Sequence, residues 1–202
     1  GETIHTKSYA QNAGGKGLNQ SIAVARSGQK LYHAGLLGAE GARLAELLSD
    51  SGVDLRYLKH TQIPQGHAII QVEPSGQNCI FTYGGSNMAV TPEDIDEVFS
   101  HFDAGDYLLM QNEMSNLTYM LRAAVQRGLR VVLNVSPIWP TLSARASMAR
   151  LRVPPVTGFG FSSWLTRVSS SLRRCSRIAI RWLSMFSIFC SLIFWIVFLP
   201  SV

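Results

Sequence analysis

Ala13-Gly14-Gly15-Lys16-Gly17-Leu18-Asn19-Gln20 is the stretch on which the reading of this chain turns. Its three glycines allow a tight, close-approaching turn that a Cβ would forbid. The residues after it, Leu18, Ile22, Val24 and Ala25, have helical spacing and run to Gly28, a suitable stop. The octet therefore predicts an extended segment passing through a glycine turn into an amphipathic helix. Such a helix start leaves backbone N–H groups unpaired and aimed outward. Lys16 adds a positive charge and Asn19 an amide that both donates and accepts. That chemistry suits a hydroxyl-rich or anionic small molecule; a tight turn with a solvated lysine is the plainer alternative. A Walker-type phosphate loop is excluded by spacing, because Ala10 stands where its first glycine belongs and Gly17 replaces the hydroxyl residue after the lysine.

Outward from the octet, strand and helix patterns alternate. Leu31–Leu37 reads as a buried strand and Glu40–Ser51 as a helix with Leu44, Leu47 and Leu48 on one side. Ile63–Val72 and Asn78–Tyr83 read as two strands joined by the turn Pro74-Ser75-Gly76-Gln77. In the first, Ala68, Ile70 and Val72 make an apolar face opposite His67, Ile69, Gln71 and Glu73, which fits an antiparallel flap. Thr91-Pro92-Glu93-Asp94 starts a helix with a capping hydroxyl, a proline in the first turn and two acids that complement the dipole. Tyr107–Met110 and Val131–Leu133 are short buried strands around a helix, Leu117–Arg127, that Gly128 ends. This order implies an α/β fold with a parallel sheet and right-handed crossovers. Ligands in such sheets gather at the carboxyl ends of the strands, where Glu113 and Asn134 fall.

Composition divides the chain. Residues 1–140 hold ten basic and all 13 acidic residues, a net −3, whereas residues 141–202 hold eight arginines and no acid. The overall +5 thus belongs to the last third, and the mildly acidic remainder gives no reason to expect a nucleic-acid partner. Cys79, Cys175 and Cys190 lack paired spacing, and His5, His33, His60, His67 and His101 lack metal-ligand spacing. The histidines read as solvent-exposed or packing residues. With no basic and apolar leader in the sequence, a cytoplasmic location is expected.

Gly14-Gly15-Lys16-Gly17-Leu18-Asn19-Gln20 resembles the first signature of the ribokinase, or PfkB-type, carbohydrate kinases. Further similar segments follow in order: Gly1-Glu2-Thr3, Ser27-Gly28, Leu36-Leu37-Gly38, Tyr83-Gly84-Gly85-Ser86-Asn87, Met110-Gln111-Asn112-Glu113 and Leu133-Asn134-Val135-Ser136-Pro137. The resemblance covers residues 1–137. It implies a ribokinase-like fold, a parallel sheet flanked by helices with a small antiparallel β lid, here as an incomplete domain. The lid strands would be residues 2–9, 63–72 and 78–83, excluding water and able to pair with a second subunit in a homodimer. The implied activity is ATP-dependent phosphorylation of ribose or a related sugar at a primary hydroxyl, with ATP and Mg as cofactors. Carried over by position, Gly15, Lys16 and Asn19 would contact sugar hydroxyls and Glu113 would accept a hydrogen bond from another.

The departures matter equally. The family's first strand, which supplies an Asn and an Asp to the sugar, precedes the part that Gly1 begins to match. Neither the family's Asn-x-x-Glu segment, associated with magnesium and phosphates, nor its Gly-Ala-Gly-Asp motif, which carries the general base, occurs in the sequence. Phosphoryl transfer depends on positioning and charge stabilisation. The expectation is that this polypeptide alone does not turn over.

Residues 138–202 fit none of the family's pattern, and three readings stand open. Leu183–Leu199 is an uncharged apolar run of a length near that of a short membrane span, preceded by Arg173, Arg174, Arg177 and Arg181. A non-catalytic sugar-binding protein with a C-terminal membrane anchor is therefore the alternative function. The run could instead be an unusual core segment. The abrupt loss of Asp, Glu, Lys, Asn, Gln and Tyr after Thr141, with Arg, Ser and Trp gained, favours a third reading, translation out of frame.

Overall fold

The structure is a computed structural model that describes residues 3, 5–134 and 196–199. Among the described residues four α-helices, α1 (Lys16–Arg26), α2 (Ala42–Asp50), α3 (Pro92–Phe99) and α4 (Leu117–Gln126), accompany seven strands. The strands are β1 (Tyr32–Leu37), β2 (Asp54–His60), β3 (His67–Val72), β4 (Asn78–Tyr83), β5 (Tyr107–Gln111), β6 (Arg130–Asn134) and β7 (Ile196–Leu199). The main sheet has the order β2-β1-β7-β5-β6, and β3 pairs with β4 in a separate two-stranded sheet. β1 is parallel to β2 and β5 to β6, while β7 runs antiparallel between β1 and β5.

Alternation along β1 sets the two helical layers. Tyr32 stacks edge-on against Phe102, and Ala34 and Leu36 line a small apolar cavity with Val90, Ile95 and Val98 of the α3 region. His33 points to the other face, where it meets Ser21 of α1. Successive strand side chains take opposite faces, so α1 and α3 cover opposite sides of the sheet. β5 is buried on both, with Leu108, Leu109 and Met110 at most 1% exposed. This is the continuous apolar pattern of a doubly covered strand.

α3 begins as its sequence dictates. Thr91 Oγ1 accepts from the Asp94 amide at 3.2 Å and the Asp94 carboxylate accepts from the Thr91 amide at 3.1 Å, a reciprocal capping box. Lys59 then ties β2 to this helix, donating to Asp94 at 2.8 Å and to Glu97 at 2.6 Å. Burial pushes the Asp94 carboxyl up, but Lys59 and the Thr91 groups outweigh it and hold the carboxyl below its usual range.

Several expectations are corrected. Residue 3 and residues 5–15 contain no strand, and residues 2 and 4 of the expected lid strand over 2–9 lie outside the described residues. β3 starts at His67 rather than Ile63, because Pro64 lacks an amide donor and Gly66 is pressed against the Asn87 side chain. The flap's apolar face is half-buried only at Ala68 and Ile70; Val72 is 62% exposed. β2 was not anticipated. Of the run 183–199, residues 196–199 form β7 in the main sheet, and residues 183–195 lie outside the described residues, as do 135–182. Among the described residues no helix is long and apolar enough to cross a membrane.

Candidate functional site

Gly15 is the N-cap of α1 and adopts φ 112°, ψ 146°, a conformation that strains any residue with a Cβ. No side chain caps the helix and no acid occupies its first turn. The first turn therefore presents backbone donors and the positive end of the helix dipole at the mouth of the site. Gly15 and Gly17 are buried, and Lys16 and Asn19 are half-buried. Asn19 continues the helix by donating its amide to the Gly15 carbonyl at 2.9 Å.

Glu113 arrives from the opposite side, two residues past the end of β5. The chain beyond it is pinned: Ser115 Oγ donates to the Val90 carbonyl at 2.8 Å, Asn116 Nδ2 to the same carbonyl at 2.7 Å, and the Ser115 amide to the Asn87 carbonyl at 3.2 Å. Asn116 takes the left-handed conformation, φ 54°, that turns the loop into α4. So held, the Glu113 carboxylate accepts a hydrogen bond from Lys16 Nζ across 97 positions of sequence. The two side chains keep only 19% and 12% of their surface, so the pair sits in a recess that still reaches solvent. Burial raises the Glu113 carboxyl above its usual range, and the Lys16 ammonium opposes that rise.

Two further polar pairs lie behind the ion pair. Gln111, the last residue of β5 and wholly buried, donates its Nε2 to the Oε1 of Gln20, one helical turn beyond Lys16. Ser21 Oγ and His33 Nδ1 are 2.7 Å apart and both fully buried. Desolvation lowers His33 to about 3, so the ring is neutral at physiological pH. Near the root of the flap, Gln65 Oε1 accepts from the Gly38 amide at 2.8 Å, and the Gln65 amide donates to Glu40 at 2.8 Å. Both arms of the flap, Gln65-Gly66 and Gly84-Gly85, thus pass beside the carboxyl end of β1.

The structure brings Gly15, Lys16, Asn19 and Glu113 to one end of the sheet. Asn134 closes β6 opposite Gln111, one strand further out. Gln20 and Gln111 were missed as site residues, although Gln20 follows Lys16 by the four positions that place two side chains on one helix face. Among the described residues no group of three His, Cys, Asp or Glu side chains is placed to hold a metal ion.

An α/β sheet with a polar recess at its strand ends, a glycine-capped helix start and an antiparallel flap rooted beside β1 is the setting in which open α/β sheets hold small molecules. The chain belongs to the pfkB family carbohydrate kinases, whose model matches residues 1–154 and so runs beyond position 137. It is 36% identical over 143 residues to the ribokinase of Arabidopsis thaliana, a match spanning 67% of this chain and 38% of that protein. It is 32% identical over 164 residues to the ribokinase of Staphylococcus aureus, spanning 78% of this chain and 54% of the relative. A solved structure of Arabidopsis thaliana ribokinase complexed with ribose and ATP superposes with a TM-score of 0.54 at 30% identity, covering 67% of this chain and 46% of that one. The chain therefore spans roughly a quarter to a half of the length of the relatives it matches.

Proposed function

We propose that this chain carries the sugar-binding half of a kinase that transfers a phosphoryl group from ATP to a primary hydroxyl of ribose or a related sugar. The observation that carries this reading is the Lys16–Glu113 pair, set between the uncapped start of α1 and the end of β5. A polyol needs donors and acceptors fixed on rigid element ends. The ammonium of Lys16, the α1 amides and the Asn19 side chain supply donors, and the Glu113 carboxylate supplies acceptors. The sequence lacks the Gly-Ala-Gly-Asp and Asn-x-x-Glu segments that the resemblance assigns to the base and to magnesium and phosphates. ATP and Mg would therefore engage groups outside this sequence, and the chain alone binds sugar without consuming ATP.

The flap supports pairing with a second copy. β3 and β4 set Ile69 opposite Phe81 and Ile70 opposite Ile80, and Ile69 and Phe81 are each 57% exposed. An apolar patch on a two-stranded sheet is covered more readily by a like surface than left to solvent. The reading predicts saturable ribose binding in titration calorimetry and no ADP release when ATP is added. Absence of ribose binding, with the chain folded by circular dichroism, contradicts it.

A further inference from the structure

α1 and β5 face each other through two rungs. Lys16 meets Glu113 at the open end, and Gln20 meets Gln111 one step deeper. Lys16 and Gln20 are four residues apart on α1, a rise of about 6 Å, and Glu113 lies in the bend two residues beyond Gln111, the end of β5. α1 leads away from the site at its first residue, and β5 leads towards it at its last. The deeper rung is closed to water, with Gln20 7% and Gln111 0% exposed. It is also imperfect: Gln111 Oε1 is buried without a hydrogen-bond partner. A buried amide with an unsatisfied oxygen costs stability that an apolar side chain of the same shape would not. Packing alone gives no reason for two glutamines here.

We propose that Gln20 and Gln111 are positioning residues: their amide–amide hydrogen bond fixes the rotation and height of α1 against β5 and thereby sets Lys16 on Glu113. An apolar pair would let the helix turn or slide by a fraction of an ångström, because hydrophobic contact has no direction. The hydrogen bond does not permit that. Lys16 is the first helical residue, so any slip of α1 reaches it undiminished.

This inference rests on the sugar-site reading for its consequence but not for its geometry, and the test separates the two. In the full chain, Gln20→Met, Gln111→Met and the double variant are compared by the Glu113 side-chain carboxyl titration in 13C NMR, by thermal melting and by ribose titration. The single variants should melt lower than the native chain, and the double variant should recover most of that loss. In all three the Glu113 midpoint should move upward as Lys16 loosens, and ribose affinity should fall about tenfold. If the Gln111 variants do not fold, Gln20→Met carries the same test from the helix side. A Glu113 titration that superimposes on the native curve overturns the positioning role, whatever happens to stability. If the native chain binds no ribose, the functional reading fails while the NMR comparison still decides the ladder.

Discussion

Lowering the pH from 7 to 5 should destabilise this fold through one residue, His33. Its ring is fully buried against Ser21, and desolvation lowers it from 6.5 to about 3. The folded state therefore binds fewer protons than the unfolded state below 6.5. The neutral ring's contribution is whole above that value and drains away as pH falls toward 3. At pH 5 the unfolded ring is almost fully protonated and the folded one is not, a gap of about 1.5 pH units, worth about 2 kcal/mol. For a chain of this length that corresponds to a fall in Tm of roughly 4–8 °C. The assay is thermal melting at pH 7 and pH 5 for the native chain and for His33→Asn, which keeps a polar partner for Ser21 Oγ and removes the titration. Glu113 acts with the opposite sign, since its raised carboxyl favours the folded state below 4.5 and loses that contribution as pH rises through its folded value. Comparison with the variant cancels it. Equal Tm losses in the two proteins would refute the assignment of the pH dependence to His33.

Three other outcomes follow from the structure. Thr91→Ala removes the hydroxyl of the α3 capping box and should cost about 1 kcal/mol in chemical denaturation; an unchanged midpoint would mean that α3 does not start there. Phe81→Lys places a charge in the exposed apolar patch of the flap and should convert a dimer to a monomer in light scattering, with a Tm that no longer rises with protein concentration; a native chain that is already monomeric would refute flap pairing. Reading the coding DNA across codons 130–202 in all three frames should recover a Gly-Ala-Gly-Asp and an Asn-x-x-Glu segment in another frame; their absence from every frame would leave residues 138–202 as genuine coding sequence.

Much of this fold was legible because local chemistry and tertiary burial agree. Thr91-Pro92-Glu93-Asp94 specifies a helix start without help from neighbours, and Gly128 ends α4 with φ 77°, as a terminating glycine should. β2 was not anticipated: Asp54, Arg56 and Lys59 interrupt its apolar residues, although Leu55 and Tyr57 alternate with the first two as in a half-exposed strand. Each of those charges is paired, Arg56 with Asp54 at 2.7 Å and Lys59 with Asp94 and Glu97, which is how an edge strand carries charge. β7 was missed for a different reason. A long apolar run has no period that separates strand from buried helix, and its pairing with β1 and β5 depends on residues far away in sequence. The candidate site was legible as residues and not as an arrangement. Lys16 and Glu113 were both named, but nothing local places one on the other. Gln20 and Gln111 hid inside the same two motifs, because a glutamine in a helix or a strand carries no signal until its partner is known.

On the proposed reading, sugar binds between the start of α1 and the end of β5. The most direct measurement is ribose titration calorimetry on the native chain, Lys16→Met and Glu113→Gln, with folding of each checked by circular dichroism. Saturable binding to the native chain is expected, weakened at least about tenfold in each variant, in line with loss of a charged hydrogen bond. Native-like ribose affinity in both variants would contradict it and place the sugar elsewhere.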